Sequence, residues 1–491
     1  LGMMMSFMVL QFIGLFWFLS RSKSITILPG ETGTMTLADY KGQPSLLALM
    51  GEWISILQGN NNFRAMGGIA PSGMILHGEP GTGKSYLMKC LAGSAGIAFH
   101  SLDGASFSAM FIGVPVLKTL AYVNKVRSLA REYGSAIGYI DEIDALGSAR
   151  GGQQGGMAMG GFMGGSGGMG ALTTLLSEID GMGTERNFTV AKNVARRWLR
   201  LPPIHEGVVF WTGGTNRPEV LDKALTRPGR MEHLIKVDPP DAPGRKEIFA
   251  YYAAKVKHDD LDIDGLVSTT QGVTPAAIQS AIQRGAPRIA NAAGRSTLSQ
   301  MDIVTALMEG VVGIPNPIGD LPREQKYQLA VHEASHCVAS KYLQPAKKLA
   351  FVSIIRRGAA LGFMLPIDKE ATYTQPLANL IADIRVSLAG DLGVKVVLGE
   401  RWMGGAGDFT HVRQRVAYLD WHGVFGGISM EYGKPSKGAE ERIDRWMKEQ
   451  MDATEDLIST HKDEVVRLAD ALVERAELSG DEATKILEDT K

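Results

Sequence analysis

GEPGTGKS, residues 78–85, decides how the first half of this chain folds. The string fits G-x-x-x-x-G-K-[ST]. An apolar run, GMILHG (73–78), leads into it and a helical pattern, KSYLMKCLAG (84–93), leads out. Strand, glycine turn and helix is the order a phosphate-binding loop needs. Glycines let backbone N–H groups close around phosphate oxygens, and the N-terminus of the following helix favours an anion. The expected nucleotide contacts are Gly78, Glu79, Pro80, Gly81, Thr82, Gly83, Lys84 and Ser85. Lys84 brings positive charge to the β/γ-phosphates, and the Ser85 hydroxyl can ligate Mg2+.

Two more apolar runs, AIGYID (136–141) and GVVFWTG (207–213), read as buried parallel strands. Their alternation with helical patterns from about 37 to 240 argues for a doubly wound α/β domain. In such sheets ligands bind at the C-terminal ends of the strands. IGYIDEID (137–144) places Asp141 and Glu142 there, Asp141 for the Mg2+ shell and Glu142 to polarise an attacking water. In GGTNRPEVLDKALTRPGRMEH (213–233), Asn216 stands at a strand end, where it can hydrogen-bond the water or the γ-phosphate. Arg227 and Arg230 lie three apart on one side of a turn, and arginine offered to a neighbour's γ-phosphate stabilises transition-state charge. The Gly/Met-rich tract 151–170 cannot bury a core and reads as a loop. From about 241 the pattern turns helical.

LAVHEASHCVAS (329–340) carries a second chemistry. His332 and His336 are i and i+4, so a helix presents both on one face. Zinc held there lowers the pKa of its water towards about 7, and Glu333 is placed to take the proton and pass it to a leaving amine. Cys337 points about 100° away from His336 and is left out of the ligand set. A catalytic zinc needs a third protein ligand. Chemistry leaves Asp383, Asp391, Glu400 and Asp408 as candidates.

Taken together, the phosphate loop, Asp141-Glu142 and TNRPEVLDKALTRPGR resemble the AAA+ ATPase module. Followed by AVHEASH, they resemble the FtsH-like family of membrane-anchored AAA+ zinc metalloproteases. The likeness runs from about residue 36 to the end and includes VSIIRRGAALGFML (352–365), GGAGDFTHVRQRVAYL (404–419) and ELSGDEATKIL (477–487). It implies a homo-oligomeric ring, usually a hexamer, with ATP at subunit interfaces. Asn216 would be sensor 1, Arg227 and Arg230 the arginine fingers, and Asp408 the third zinc ligand. Phe111-Ile112-Gly113 matches the pore loop that grips an unfolded chain. EIDGM (178–182) matches the intersubunit signalling stretch, with Met182 where an aromatic is usual, and GVTPAA (272–277) falls on the sensor-2 segment. Ser335 stands where glycine is more usual, and 388–400 lacks the usual Arg-Ala-Ala-Glu-Glu, with Asp391, Val394 and Lys395 in those places. That change falls on packing rather than on zinc ligation. Residues 183–206, with Arg196, Arg197 and Arg200, read as an insertion with a solvated basic helix.

Bulk properties set the remaining expectations. With 51 Lys+Arg against 52 Asp+Glu, the chain lacks the basic excess of a nucleic-acid protein. Two cysteines cannot make a disulfide framework. Residues 1–20 carry no charge and are long enough, at about 30 Å, to cross a bilayer. They have no basic n-region or small-residue cleavage site to suggest a signal peptide. Arg21 and Lys23 then put the rest of the chain on the cytoplasmic or equivalent side. One span is visible, in a chain that opens on Leu1. The expected organisation is a transmembrane helix at 1–20, a linker at 21–36, an α/β ATPase domain at 37–240, a helical lid at 241–315 and a mainly α-helical zinc peptidase domain at 322–491. The implied activity is ATP-dependent zinc endopeptidase, using Zn2+, ATP and Mg2+ on unfolded or membrane proteins beside membrane lipid. The alternatives are an AAA+ unfoldase with a silent protease domain, or a metallopeptidase that merely binds nucleotide. Intact His332, Glu333, His336 and Asp408 argue against the first.

Overall fold

The three apolar runs become strands that lie side by side. In the computed structural model they are β2 (Gly73–His77), β4 (Ser135–Asp141) and β5 (Val208–Thr215). The structure describes residues 24–489 apart from 32–34, 59–62, 64, 69–70, 108–113, 148–166, 181–197, 199–206, 320, 359, 370–373, 375 and 401–405. The chain divides into two compact units. One runs to Ile248 and includes Gly272–Ala276; the other holds Phe249–Gln271 and everything from Ala277.

The first unit is built on a six-stranded sheet in the order β1-β3-β4-β5-β2-β6, completed by β1 (Ser24–Ile27), β3 (Ala98–Asp103) and β6 (His233–Lys236). The strands from β2 to β6 pair in parallel. Met74, Ile75, Leu76, Ile137 and Ile140 have no exposed surface, because helices cover both faces of the sheet. One face packs on the helices Val114–Tyr133 and Gly167–Asp180 through Tyr122, Val126 and Leu175. The other packs on α1 (Lys84–Ala95) and the helix Pro44–Leu57 through Leu87, Met50 and Trp53. The C-terminal ends of β4, β5 and β2 are therefore neighbours, and they carry Asp141, Asn216 and the phosphate loop.

Two expectations change. β1, which pairs antiparallel with β3, makes the sheet mixed. That strand lies inside the stretch read as a linker; its Ile25, Thr26 and Ile27 are β-branched residues suited to an edge strand. The last four residues of the 151–170 tract start the helix Gly167–Asp180. The expected transmembrane helix 1–20 lies outside the described residues, as do Phe111-Ile112-Gly113, Met182, Arg196, Arg197 and Arg200. Among the described residues no helix is long and apolar enough to cross a membrane.

The second unit begins with short helices and the helix Gln300–Val311, then centres on two long helices, α2 (Arg323–Leu343) and α3 (Leu377–Leu398). Ala330, Val331, Ala334, Cys337 and Val338 on α2 are fully buried. The amphipathic helix Lys462–Arg475 joins that core through Val465, Leu468 and Leu472. A three-stranded antiparallel sheet, β8-β7-β9, also packs here, from β7 (Lys347–Ser353), β8 (Phe363–Asp368) and β9 (Glu477–Ser479). Reading this region as mainly helical did not anticipate it, because β9 has only three residues and follows a helix directly. A last helix, α4 (Ala406–Trp421), lies against α3, with shared apolar contacts among Leu388, Leu392 and Val412.

The start of Gln300–Val311 generates a stability prediction. Ser299 caps it, and Asp302 closes the capping box by accepting from the Ser299 N–H and hydroxyl at 2.8 Å each. Arg295 holds both Asp302 oxygens at 2.6 Å. The Arg295 hydrogen bonds, opposed by burial and aided by Ser299, hold the Asp302 pKa at about 2, below its ordinary 3.8. Asp302→Ala should cost about 1–3 kcal/mol at neutral pH, as measured by chemical denaturation. The depressed carboxyl contributes fully above about 3.8 and loses its contribution as pH falls through about 2, so the gap between wild type and variant should close over that interval.

Candidate functional site

The phosphate loop follows a path open only to glycine at three points. Gly81 and Gly83 have φ of +83° and +94°, and a Cβ on Gly78 would sit 2.2 Å from the Val237 carbonyl oxygen. The loop delivers Lys84 and Ser85 to the start of α1. Lys84 Nζ donates to the carbonyl oxygens of Gly78 and Glu79 at 2.9 Å each and to Asn216 Oδ1 at 2.6 Å. Burial lowers the Lys84 pKa, and the charge of Asp141 works against that. Ser85 Oγ donates to Asp141 Oδ2 at 2.7 Å. Glu142 follows the strand with φ +48°, its side chain exposed. Ala276 N–H donates to the Gly81 carbonyl at 3.2 Å, which brings GVTPAA to the loop. The fold thus gathers all eight loop residues, Asp141, Glu142 and Asn216 at the C-terminal ends of β2, β4 and β5.

Arg227 and Arg230 bracket a turn closed by the Arg230 N–H to the Arg227 carbonyl. Arg227 is exposed. Arg230 forms a two-pronged pair with Asp180, at 2.6 and 2.5 Å, and also reaches the Ala224 carbonyl. That pair raises the Arg230 pKa and lowers that of Asp180.

The second unit holds the histidines. His332 Nε2 and His336 Nε2 lie 3.1 Å apart, and Asp408 Oδ2, in the first turn of α4, is 3.2 Å from one and 3.5 Å from the other. No other cluster of three His, Cys, Asp or Glu side chains able to hold a metal ion forms among the described residues. The Val386 carbonyl can only accept, so its 2.7 Å contact fixes the proton of His336 on Nδ1 and leaves Nε2 as the lone-pair donor to a metal. Burial pulls the His336 pKa down, but hydrogen bonding to Asp408 and the charges of Glu333 and Asp408 outweigh it and hold it at about 9. Burial likewise pushes Asp408 up, and its two histidine partners more than reverse that. Glu333 is 4% exposed; burial pushes its pKa up while the histidines pull it down. A cavity of about 900 Å³ runs past His332, Glu333 and His336, with Leu361, Phe363 and Val386 among its walls.

The other acidic candidates are elsewhere engaged or outside the cluster. Asp383 binds Lys347 at 3.0 Å, Arg415 at 3.4 Å and Gln344 at 2.6 Å. Asp391 is buried in α3 and Glu400 is exposed; neither joins the histidines.

Several residues that shape the sites were not singled out from sequence. A Cβ on Gly390 would lie 2.4 Å from His332 Cε1 and 2.5 Å from His336 Nε2, so α3 passes the imidazoles at a distance only glycine permits. A Cβ on Gly362 would be 2.7 Å from Glu333 Oε1. Tyr139 places its hydroxyl 3.1 Å from both Ser85 Oγ and Asp141 Oδ1; burial and the nearby Asp141 charge push its pKa up. Ser335 and Gly393 are a matched pair. The Ser335 hydroxyl donates to the Val331 carbonyl at 2.6 Å, and a Cβ on Gly393 would stand 1.9 Å from Ser335 Oγ. Ser335 and the altered 388–400 segment therefore form one compensated contact. Lys395, in the same segment, pairs with Glu455 at 2.7 and 2.8 Å. A glycine inside an apolar helical run is the sequence signal that could have pointed to Gly390 and Gly393.

Comparison with known proteins gives two matches to family models, the ATPase family associated with various cellular activities over residues 74–239 and peptidase family M41 over 320–420. "ATP-dependent zinc metalloprotease FtsH 2" of Symbiobacterium thermophilum is 32% identical over 489 residues, covering 96% of this chain and 77% of that protein. "ATP-dependent zinc metalloprotease FTSH 10, mitochondrial" of Arabidopsis thaliana is 31% identical over 89% of this chain, which spans 52% of that relative. "ATP-dependent zinc metalloprotease FtsH" of Helicobacter felis is 28% identical over 94% of this chain and 71% of its own length.

The matched contact between α2 and α3 makes a swap experiment decisive. Gly393→Ala should push the helices apart, lower the unfolding midpoint by an amount corresponding to about 1–3 kcal/mol and reduce the metal retained after dialysis. Ser335→Gly added to it should restore both readings. Elemental analysis beside thermal unfolding checks this, and a double variant no better than Gly393→Ala would refute the pairing.

Proposed function

Because this chain belongs to the FtsH family of ATP-dependent zinc metalloproteases, we propose that it uses ATP hydrolysis to deliver unfolded protein chains to a zinc site that cuts them. The observation that carries this reading is one chain holding both a complete phosphate-site set and the His332, Glu333, His336, Asp408 cluster.

The donor set suits zinc. Two imidazole nitrogens and one carboxylate oxygen, all within 4.8 Å of one another, leave a fourth position for water or substrate. Bound zinc supplies a Lewis acid and a water whose pKa is lowered towards about 7. His332, His336 and Asp408 would hold the ion, and the Val386 carbonyl keeps His336 turned towards their shared centre. Glu333 takes a proton from the attacking water and returns it to the leaving amine nitrogen. Its burial raises its basicity for that exchange. Ligation needs deprotonated imidazole, so metal affinity falls as the medium becomes acidic.

At the other site, backbone N–H groups of the 78–85 loop, Pro80 excepted, cradle the phosphates of ATP. Lys84 exchanges its present oxygen partners for phosphate oxygens. Ser85 and Asp141 would hold Mg2+, whose charge would offset that of the phosphates. Glu142 and Asn216 orient the attacking water. Arg227 and Arg230 act on the nucleotide of a neighbouring subunit in a homo-oligomer, with a hexameric ring as our reading; Arg230 must first leave Asp180. Phe111, Ile112 and Gly113 grip the substrate in the pore. Residues 1–20 anchor the chain in the lipid bilayer, with Arg21 and Lys23 on the side of the catalytic units. Membrane proteins are then substrates alongside misfolded soluble ones, and nucleic acid is not a partner.

Glu333→Gln should leave ATP hydrolysis intact and slow casein digestion by about 10²–10⁴-fold, the usual scale of lost acid–base catalysis. Lys84→Ala should abolish ATP hydrolysis and digestion of folded substrates while sparing a short unstructured peptide. If wild type and Glu333→Gln both hydrolyse ATP and neither cuts casein, the remodelling alternative replaces the protease reading.

A further inference from the structure

Tyr139 is fully buried in β4, its ring stacked on Phe99 with centroids 6.0 Å apart. Packing alone would be served by the ring without its oxygen. The hydroxyl instead completes a triangle with Ser85 Oγ and Asp141, at 3.1 Å to each, against a Ser85–Asp141 side of 2.7 Å. An ionised carboxylate only accepts hydrogen bonds. Ser85 gives its proton to Asp141 Oδ2, and Tyr139 gives its own to Oδ1, which also receives the Glu142 N–H at 3.2 Å. Both oxygens of Asp141 are thereby tied down.

The neighbouring strand is cut away to admit this hydroxyl. A Cβ on Gly214 in β5 would lie 2.1 Å from the Tyr139 oxygen and 3.0 Å from Asp141 Oδ1. Glycine inside a central strand weakens it, and a hydroxyl inside a sheet core costs desolvation. The two costs are incurred at one spot, and their joint result is a donor aimed at the pair of side chains expected to carry Mg2+.

We infer that Tyr139 is a positioning residue of the nucleotide site: its hydroxyl, admitted by Gly214, holds Asp141 and Ser85 in the arrangement that receives Mg2+ with nucleotide. The inference rests on the reading of this site as one for Mg2+ and ATP. Ser85 donates to Asp141, which leaves its oxygen lone pairs able to accept a cation. Tyr139 keeps Asp141 where that donation is possible. Without the hydroxyl, Asp141 Oδ1 retains only a backbone donor, and the carboxylate can rotate away from Ser85.

The test uses the full chain and a fluorescent ADP analogue titrated with Mg2+ and in EDTA. Tyr139→Phe keeps the ring and should weaken binding in Mg2+ about tenfold, the scale of one hydrogen bond to a charged group, with no change in EDTA. The Mg2+ concentration giving half-maximal ATP hydrolysis should rise by a similar factor. Gly214→Ala should cause a larger loss, part of which Tyr139→Phe relieves by removing the oxygen that the new methyl strikes. A Tyr139→Phe protein with the Mg2+ dependence of wild type overturns the inference, as does an equal loss with and without Mg2+. A wild type whose nucleotide binding ignores Mg2+ overturns instead the reading of the site beneath it.

Discussion

Helix α3 passes α2 so closely that neither Gly390 nor Gly393 can carry a side chain, and the peptidase centre depends on that closeness. At Gly390 the approach leaves the two imidazoles room to turn towards one point. Four residues earlier the same helix offers the Val386 carbonyl to His336, which fixes the ring's tautomer and direction. On its other side α3 packs on α4, the helix that supplies Asp408. A metal site whose donors come from two helices is only as well defined as the spacing of those helices. Here a third helix sets that spacing through steric contact.

The nucleotide site applies the same logic in a sheet. Backbone that nearly touches backbone, as at Gly78 against Val237, or strand that yields to a side chain, as at Gly214 against Tyr139, fixes polar groups to within a hydrogen-bond length. Each such contact removes a degree of freedom that a ligand would otherwise have to freeze on binding. Catalytic groups and the glycines that admit them are thus parts of one arrangement, although only the former carry chemistry.

Much of this was legible from sequence, for identifiable reasons. The phosphate loop and its strands announce themselves because their spacing is local: Lys84 and Ser85 follow the glycines within one turn. HExxH is likewise confined to one helical turn. What sequence left open is set by contacts between distant segments. From chemistry alone Asp408 could not be separated from Asp383, Asp391 or Glu400; the resemblance chose it, and the fold puts it beside the histidines while Asp383 is held by Lys347, Arg415 and Gln344. The edge strand β1 hid in a short β-branched run among turn residues. Ser335 and the altered 388–400 segment looked like two unrelated departures because the Ser335–Gly393 contact joins helices far apart in the chain.

Lys84 with its three oxygen partners has a further consequence. Its ammonium is not a bare charge facing solvent; Gly78, Glu79 and Asn216 supply it with acceptors. Phosphate must displace acceptors of comparable quality, so affinity at this site reports an exchange rather than a capture. The exchange also runs backwards: when a spent nucleotide leaves, the same oxygens take the lysine back.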